Sequence, residues 1–354
     1  MTTSLPVKVF ATSGSNGLAT RICESLQFRL PSGIQPGGRL TLAQHEVTTF
    51  SNENSVVQVE NVRDHFVVVI HTQVPPVSEG LIELLNLLDA IKNAKSETIL
   101  LVFPYMPYSR SDQKNRPRIS AMGVLLPRIL TASPLGGRGG VENILLLDAH
   151  DPHLKHYFDP AADEVTAIYL LVDFLQREVF SVRPKENSVV VFSDAGAVKR
   201  YATIPHILSL PEAYIAKERP DDKESPTLKR VVGKVRDRDC MLFDDEILSG
   251  GTILGDAELL LSEGARSVIA LVVHPILADK NLVSTNELIQ KLERSPIEQF
   301  VVTDSVPISH KLGNAKKFTV ISVAGLLAEA IKRAILGQSL TELYKPEAVP
   351  FYRI

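Results

Sequence analysis

Cysteine is scarce in this chain and tryptophan is missing: its 354 residues hold two cysteines and no tryptophan. Cys23 and Cys240 stand far apart, and neither belongs to a Cys-x-x-Cys pair. That argues against a disulfide framework or a structural zinc site. An excess of one charge is also lacking. The 38 basic and 41 acidic residues leave a formal charge of -3, so nothing favours a nucleic acid or an anionic membrane as partner. No apolar run reaches the length of a membrane span. Met1-Thr2-Thr3-Ser4-Leu5-Pro6 lacks a basic region followed by an apolar core, so no secretory signal is expected. Together these absences predict a soluble protein of the reducing cytoplasm. The rest of the composition is ordinary for a globular chain, 44% hydrophobic and 22% charged, with length enough for two domains.

What is present is a succession of short apolar runs separated by helical spacing. Val7-Lys8-Val9-Phe10-Ala11 predicts a strand, Thr12 to Gly17 a turn, and residues 18–26 a helix. Phe66-Val67-Val68-Val69-Ile70 predicts the next strand, residues 81–91 a helix, and Ile99-Leu100-Leu101-Val102-Phe103 a strand. Residues 124–130 read as helix and 131–140, rich in glycine, as an exposed loop; Asn143 to Leu147 predicts a strand ending at Asp148-Ala149-His150. A second series follows. It predicts a helix over 165–180, the strand Val189-Val190-Val191-Phe192, the strand Asp239-Cys240-Met241-Leu242-Phe243 and a helix over 253–263. Strands at 267–273 and 300–302 and a terminal helix over 324–336 complete it. Such alternation predicts an α/β fold of mainly parallel sheets flanked by helices, with ligands at the carboxyl ends of the strands. Residues 140–150 resemble residues 264–274, which suggests internal duplication. The expected organisation is a domain at 1–160, a second at 161–322, a break near Asp159-Pro160, and a tail at 323–354 packing back on the first.

One stretch organises the rest: Asp244-Asp245-Glu246-Ile247-Leu248-Ser249-Gly250-Gly251-Thr252. It stands between an apolar strand and a helix. Gly250-Gly251 lets backbone amides approach an anion, Ser249 and Thr252 add hydroxyl donors, and the helix start adds its dipole. Asp244 and Asp245 repel phosphate; they accept hydrogen bonds from ribose hydroxyls or hold a cation. A lone Gly-Gly would be a plain strand-to-helix turn. Two carboxylates followed by Ser-Gly-Gly-Thr resemble the phosphoribosyl-binding loop of the phosphoribosyltransferase fold.

Four other segments carry chemistry, each with a plainer reading. Pro104 to Lys114 follows a strand and places Arg110 to bind a polyphosphate, with Tyr105 or Tyr108 against a flat base; a basic loop alone is usually just solvated. Asp148-Ala149-His150 offers ligands to Mg²⁺ or to ATP phosphates, although a His closing a strand is more often structural and imidazole suits Mg²⁺ poorly. Asp194-Ala195-Gly196 pairs a possible metal carboxylate with a close backbone approach, where an Asp is equally a helix cap. Lys217-Glu218-Arg219-Pro220 opens a charged surface loop of the kind that closes over phosphate, though a charge run by itself is usually a solvated face.

Taken in order, these segments resemble the ribose-phosphate pyrophosphokinase (phosphoribosyl pyrophosphate synthetase) family over nearly the whole chain. The resemblance implies two tandem phosphoribosyltransferase-like domains and Mg²⁺-dependent transfer of the diphosphoryl group of ATP to the anomeric hydroxyl of ribose 5-phosphate. It implies that Lys217 and Arg219 are catalytic and that Phe50, Asn52, Arg110, Asp112 and His150 bind ATP. Asp194, Asp244, Asp245, Ser249, Gly250, Gly251 and Thr252 would bind ribose 5-phosphate, and His150 and Asp194 would serve Mg²⁺. Phe50 and Asn52 would reach a neighbouring subunit, implying a homo-oligomer or a hetero-oligomer with paralogous subunits. Departures are Ser111 where the family has Gln, a shortened Asn115-Arg116-Pro117-Arg118 stretch, Glu53 or Asn54 at an acidic position, and Leu248 where many members have Asp. The alternative within the family is a catalytically silent regulatory subunit; Lys217, Arg219 and the Asp244-Asp245 pair favour an enzyme.

Overall fold

The structure, a computed structural model, describes residues 5–31, 39–111, 117–132, 135–218, 228–278 and 284–353. Contacts divide the chain into two units: Met1–Ala167 with Ser305–Pro307 and Ser322–Ile354, and Ile168–Asp304 with Ile308–Ile321.

The first unit runs β1 (Val7–Ala11), α1 (Asn16–Gln27), β2 (His45–Thr49), β3 (Ser55–Val59), β4 (Phe66–Ile70), α2 (Val77–Asn93), β5 (Thr98–Phe103), α3 (Met122–Thr131), β6 (Val141–Leu147) and β7 (Asp163–Val165). A parallel sheet takes the order β1-β4-β5-β6-β7. Every residue of β4 and β5 is buried, because helices cover both faces and leave no reason for alternation. On α2, Leu84, Leu87, Leu88 and Ile91 form one stripe at helical spacing and pack on Val67, Val69, Ile99 and Leu101. β2 and β3 form a separate antiparallel hairpin, closed by Glu53 N–H donating to Phe50 O at 2.9 Å. Apolar spacing marks no element there, since His45-Glu46-Val47-Thr48-Thr49 is polar and mostly exposed.

A buried polar knot seals the carboxyl ends of β1 and β4. His71 is 3% exposed, its Nδ1 lies 2.9 Å from Thr12 Oγ1, and its ring meets Phe103 edge-on. Thr12 in turn bonds Ser15, whose Oγ accepts from Thr72 N–H at 2.9 Å. Burial pushes the His71 pKa down to about 4, against a weaker upward pull from Glu83. An unfolded histidine titrates near 6.5, so this contribution is complete above that pH and is lost as pH falls toward about 4. The loss amounts to about 3 kcal/mol across that window. Denaturant unfolding of wild type and His71→Gln at neutral pH and near pH 4.5 should show a shallower acid loss in the variant. Equal losses in both would remove His71 from the explanation.

The second unit runs α4 (Ile168–Phe174), β8 (Ser188–Phe192), α5 (Ala195–Arg200), α6 (Ile204–Leu208), β9 (Glu212–Glu218), β10 (Leu228–Val232), β11 (Asp239–Ile247), α7 (Gly251–Ser262), β12 (Ser267–Pro275), α8 (Thr285–Glu293), β13 (Gln299–Thr303), α9 (Ser309–Leu312) and β14 (Phe318–Ile321). Its sheet has the order β10-β9-β8-β11-β12-β13-β14, with β10 antiparallel to β9 and the other pairs parallel. The similar segments 140–150 and 264–274 supply β6 and β12, one to each unit's sheet. Residues 322–354 return to the first unit with α10 (Ala324–Ile335) and α11 (Val349–Tyr352). On α10, Glu329 is 4% exposed and meets Lys332 (2.7 Å), Arg333 (3.0 Å) and, from α1's end, Arg29 (3.3 Å). Burial pushes its carboxyl up, but the bonds from Lys332 and Arg333 outweigh that and hold it below the ordinary glutamate range.

Sequence expectations change at several places. Leu135, Gly139 and Gly140 are buried in the stretch expected as an exposed loop, and Lys217 and Glu218 close the strand β9 where a loop was expected. The helix expected over 165–180 is the end of β7, then α4, then a π-helical turn at Leu175–Val179. β11 does not stop at Phe243 but continues to Ile247. Its neighbour β12 is equally long and pairs with the extension at Asp244↔Val272, Glu246↔His274 and Ile247↔Pro275. β14 is an edge strand of half-buried residues that carries no continuous apolar signal; Phe318 stacks on Phe300 at 4.8 Å.

Candidate active site

In the second unit, β8 and β11 run parallel with Phe192 opposite Phe243. Ser193-Asp194 and Asp244-Asp245 are therefore neighbours at the carboxyl end of the sheet. Ser193 Oγ donates to Asp244 Oδ1 at 2.9 Å, and the Asp245 backbone N–H donates to the same oxygen at 3.0 Å. Arg200 Nη1 lies 3.3 Å from Asp245 Oδ2. Withdrawal from water, then the adjacent Asp245 charge, push the Asp244 carboxyl well above the ordinary aspartate range. The pair therefore sheds its second proton at a higher pH than two isolated aspartates would. Asp194 is extended and caps α5, with Oδ1 accepting from Ala197 N–H at 2.9 Å.

After β11 the chain turns through Leu248, Ser249 and Gly250 into α7. Gly250 sits at φ 74°, in the left-handed region that favours glycine, and a Cβ there would press on Leu292 Cδ2 at 2.7 Å. Gly250 is the N-cap of α7 and supplies no side-chain cap, which leaves the first-turn amides facing outward for an anion. At Gly251 the nearest atom to an added Cβ is Ser249 Oγ at 3.7 Å, so the backbone is open from that side. Thr252 is exposed and Ser249 half-buried beside it. Acid acceptors on the strand end and amide and hydroxyl donors in the turn suit a polyol carrying a phosphate.

Lys217 is in the strand β9. Phe192 pairs with Tyr214, so Lys217 lies three residues beyond that row, roughly 10 Å further along the strand. It pairs in register with Lys229 of β10. The Lys217 side chain and all of Arg219 lie outside the described residues, as does Asp112.

In the first unit, Asp148 follows β6 with φ 42° and is 5% exposed. Its two oxygens accept from Thr166 Oγ1 and Ala167 N–H, each at 2.6 Å. Asp148 thus braces the chain after β7, and the half-exposed His150 is the group of that motif that faces outward. Arg110 is exposed at the end of the loop after β5. Of the two tyrosines offered to a base, Tyr105 is 4% exposed and belongs to the interior, while Tyr108 is half-buried at φ 59°. Phe50 is 51% exposed at the tip of the β2–β3 hairpin, and Asn52 Oδ1 accepts from Asn54 N–H at 3.2 Å beside it. Apolar periodicity missed Ser193 and Arg200, because their partners are 51 and 45 residues away. The available signal was an arginine six residues after a capping aspartate, at the end of a short helix.

Among the described residues no three His, Cys, Asp or Glu side chains cluster as a metal cage. Mg²⁺ carried on phosphates needs only one or two protein carboxylates. Asp194 fits that requirement, and the His150 imidazole suits a phosphate better than a hard cation. Among the described residues no helix is long and apolar enough to cross a membrane.

Comparison with known proteins agrees with this arrangement. A family profile described as the N-terminal domain of ribose phosphate pyrophosphokinase matches residues 7–133, and one described as the phosphoribosyl synthetase-associated domain matches residues 197–345. The chain is 31% identical to a ribose-phosphate pyrophosphokinase of Aquifex aeolicus over 339 residues, covering 96% of this chain and 99% of that one. It is 32% identical to ribose-phosphate pyrophosphokinase A of Dictyostelium discoideum, covering 89% and 94%. The crystal structure of phosphoribosylpyrophosphate synthetase from Mycobacterium smegmatis matches with a TM-score of 0.79 at 27% identity, over 94% of this chain and 99% of that chain. Strand order, carboxylate pair, glycine turn and full-length similarity lead to one assignment: this chain is an enzyme of the ribose-phosphate pyrophosphokinase family.

Proposed function

We propose that the chain transfers the diphosphoryl group of ATP to the anomeric hydroxyl of ribose 5-phosphate. The anomeric hydroxyl gives up its proton to solvent as its oxygen bonds to the β-phosphorus, the bond from that phosphorus to the oxygen bridging to the α-phosphate breaks, and AMP leaves with that electron pair. The products are phosphoribosyl pyrophosphate, for nucleotide biosynthesis, and AMP. The observation that carries this reading is the strand-to-helix turn. It sets Asp244 and Asp245 at a strand end directly before an α7 N-terminus with no side-chain cap. Ser249, Gly250, Gly251 and Thr252 take the 5-phosphate, and Asp244 and Asp245 accept from the sugar hydroxyls. Arg110, Asp112 and His150 orient ATP, with Phe50 and Asn52 contributed from a neighbouring subunit of an oligomer. Lys217 and Arg219 neutralise charge that grows on the transferring group. When bound, Mg²⁺ supplies charge neutralisation on the nucleotide phosphates, with Asp194 and His150 as its protein neighbours. The cytoplasm is the compartment this assigns.

The test is AMP formation by the purified chain with Mg²⁺, ATP and ribose 5-phosphate. AMP that requires the sugar, together with detected phosphoribosyl pyrophosphate, is the expected result. No product, despite binding of both ligands, would instead make the chain a regulatory subunit of the same family that needs an active paralogue.

A further inference from the structure

The short helix α5 begins and ends at the candidate site. At its start Asp194 caps it through Ala197 N–H. At its end Arg200 reaches back to Asp245 Oδ2 at 3.3 Å. Both partners are largely withdrawn from water, with side chains 20% and 16% exposed. The Arg200 guanidinium also stands 5.9 Å from the ring centroid of Tyr201, itself 3% exposed, so the cation is held from two sides. Immediately before α5, Ser193 holds Asp244. The segment 193–200 thus fixes each member of the pair separately, Asp244 by a hydroxyl and Asp245 by a cation.

The surroundings make that cation consequential. Asp194 follows β8, Asp244 and Asp245 stand on the adjacent β11, and Arg200 forms its ion pair with Asp245. Two adjacent carboxylates repel each other, and the strain is greater out of water. A guanidinium on Asp245 offsets the repulsion and directs one of its oxygens, leaving the rest of the carboxylate surface with a set orientation.

We propose that Arg200 is a positioning residue for sugar-phosphate binding: through its ion pair it holds Asp245 oriented so that the carboxylate pair can accept the sugar hydroxyls. This inference rests on the reading that the pair binds ribose 5-phosphate. Arg200 itself acts through Asp245 and not on the reacting phosphorus. Its loss should therefore appear in the affinity for the sugar phosphate and spare both the nucleotide and the chemical step.

The experiment measures binding of ribose 5-phosphate and of ATP by calorimetry, with kcat and KM, for wild type, Arg200→Met, Arg200→Lys, Asp245→Asn and the Arg200→Met/Asp245→Asn double variant. Arg200→Met should weaken ribose 5-phosphate binding about ten- to a hundredfold, with kcat at saturation and ATP affinity nearly unchanged. Arg200→Lys should restore much of the loss, and the double variant should bind little worse than Asp245→Asn alone. Wild-type affinity in Arg200→Met, or fully additive losses in the double variant, would overturn the inference. A parallel fall in kcat, ATP affinity and melting temperature would show a merely structural arginine. If Arg200→Met does not fold, Arg200→Gln takes its place in the same measurements, with the same outcomes deciding. Failure of the wild type to bind ribose 5-phosphate would instead sink the functional reading on which this one rests.

Discussion

Lys217→Ala should lower kcat about 10²- to 10³-fold while leaving the affinities for ATP and ribose 5-phosphate within a fewfold of wild type. The expectation follows from when the charge is needed. In diphosphoryl transfer the negative charge on the moving group is redistributed at the transition state, and a fixed ammonium that meets it there lowers the barrier without tightening ground-state binding. The Lys217 backbone is at the far end of β9, on the carboxyl-end side of the sheet where Ser193 follows β8 and Asp244 stands in the last half of β11. The fold should tolerate the change. Its place in the β9–β10 ladder, in register with Lys229, is held by main-chain hydrogen bonds that the exchange leaves in place. Steady-state kinetics with calorimetry would check the split. Wild-type turnover in the variant would remove Lys217 from the chemistry; a collapse of ATP affinity with kcat retained would make it a ground-state ligand.

Asp244→Asn should weaken binding of ribose 5-phosphate by roughly 10- to 100-fold, the range for a lost charge-assisted hydrogen bond. It should do so without destabilising the free protein. Asp244 has its carboxyl pushed up by withdrawal from water and by Asp245. An aspartate whose folded value is raised penalises the folded state increasingly as pH rises through the unfolded value toward the folded one. Asn removes that penalty, so the variant's melting temperature should equal or exceed wild type, with the gain larger at neutral than at acidic pH. Ser193 Oγ and the Asp245 N–H can still donate to the Asn carbonyl oxygen. Loss of ATP affinity with sugar affinity intact would show that the strand end had been assigned to the wrong ligand.

Much of this architecture is legible from local pattern. Phe66-Val67-Val68-Val69-Ile70 is a strand with the expected bounds, since a strand covered on both faces needs no polar residue to mark it. The Gly250-Gly251 pair marks the turn because one of its positions takes positive φ against a packed Leu292. Elements with mixed burial escape the same reading. β2 is mostly exposed and β14 half-buried, so neither shows the continuous apolar run that marks β4, although both carry β-branched residues.

By itself, the sequence determined the alternation of buried strands and helices, the placement of Asp194, Asp244 and Asp245 toward the carboxyl ends of strands, and the glycine turn into α7. Each depends on contacts within a few residues, where periodicity and backbone sterics act directly. Only the tertiary structure decided what those carboxylates meet. Ser193 reaches Asp244 because β8 lies beside β11 in one register, and Arg200 reaches Asp245 because α5 packs back on the same edge. The extension of β11 to Ile247 likewise needed the full length of β12 beside it. Tyr105 lost its candidacy for a nucleotide base by being packed inside. Partners 45 or 51 residues apart are joined by strand order and register, which hydrogen bonding between whole strands sets and no local run of residues encodes.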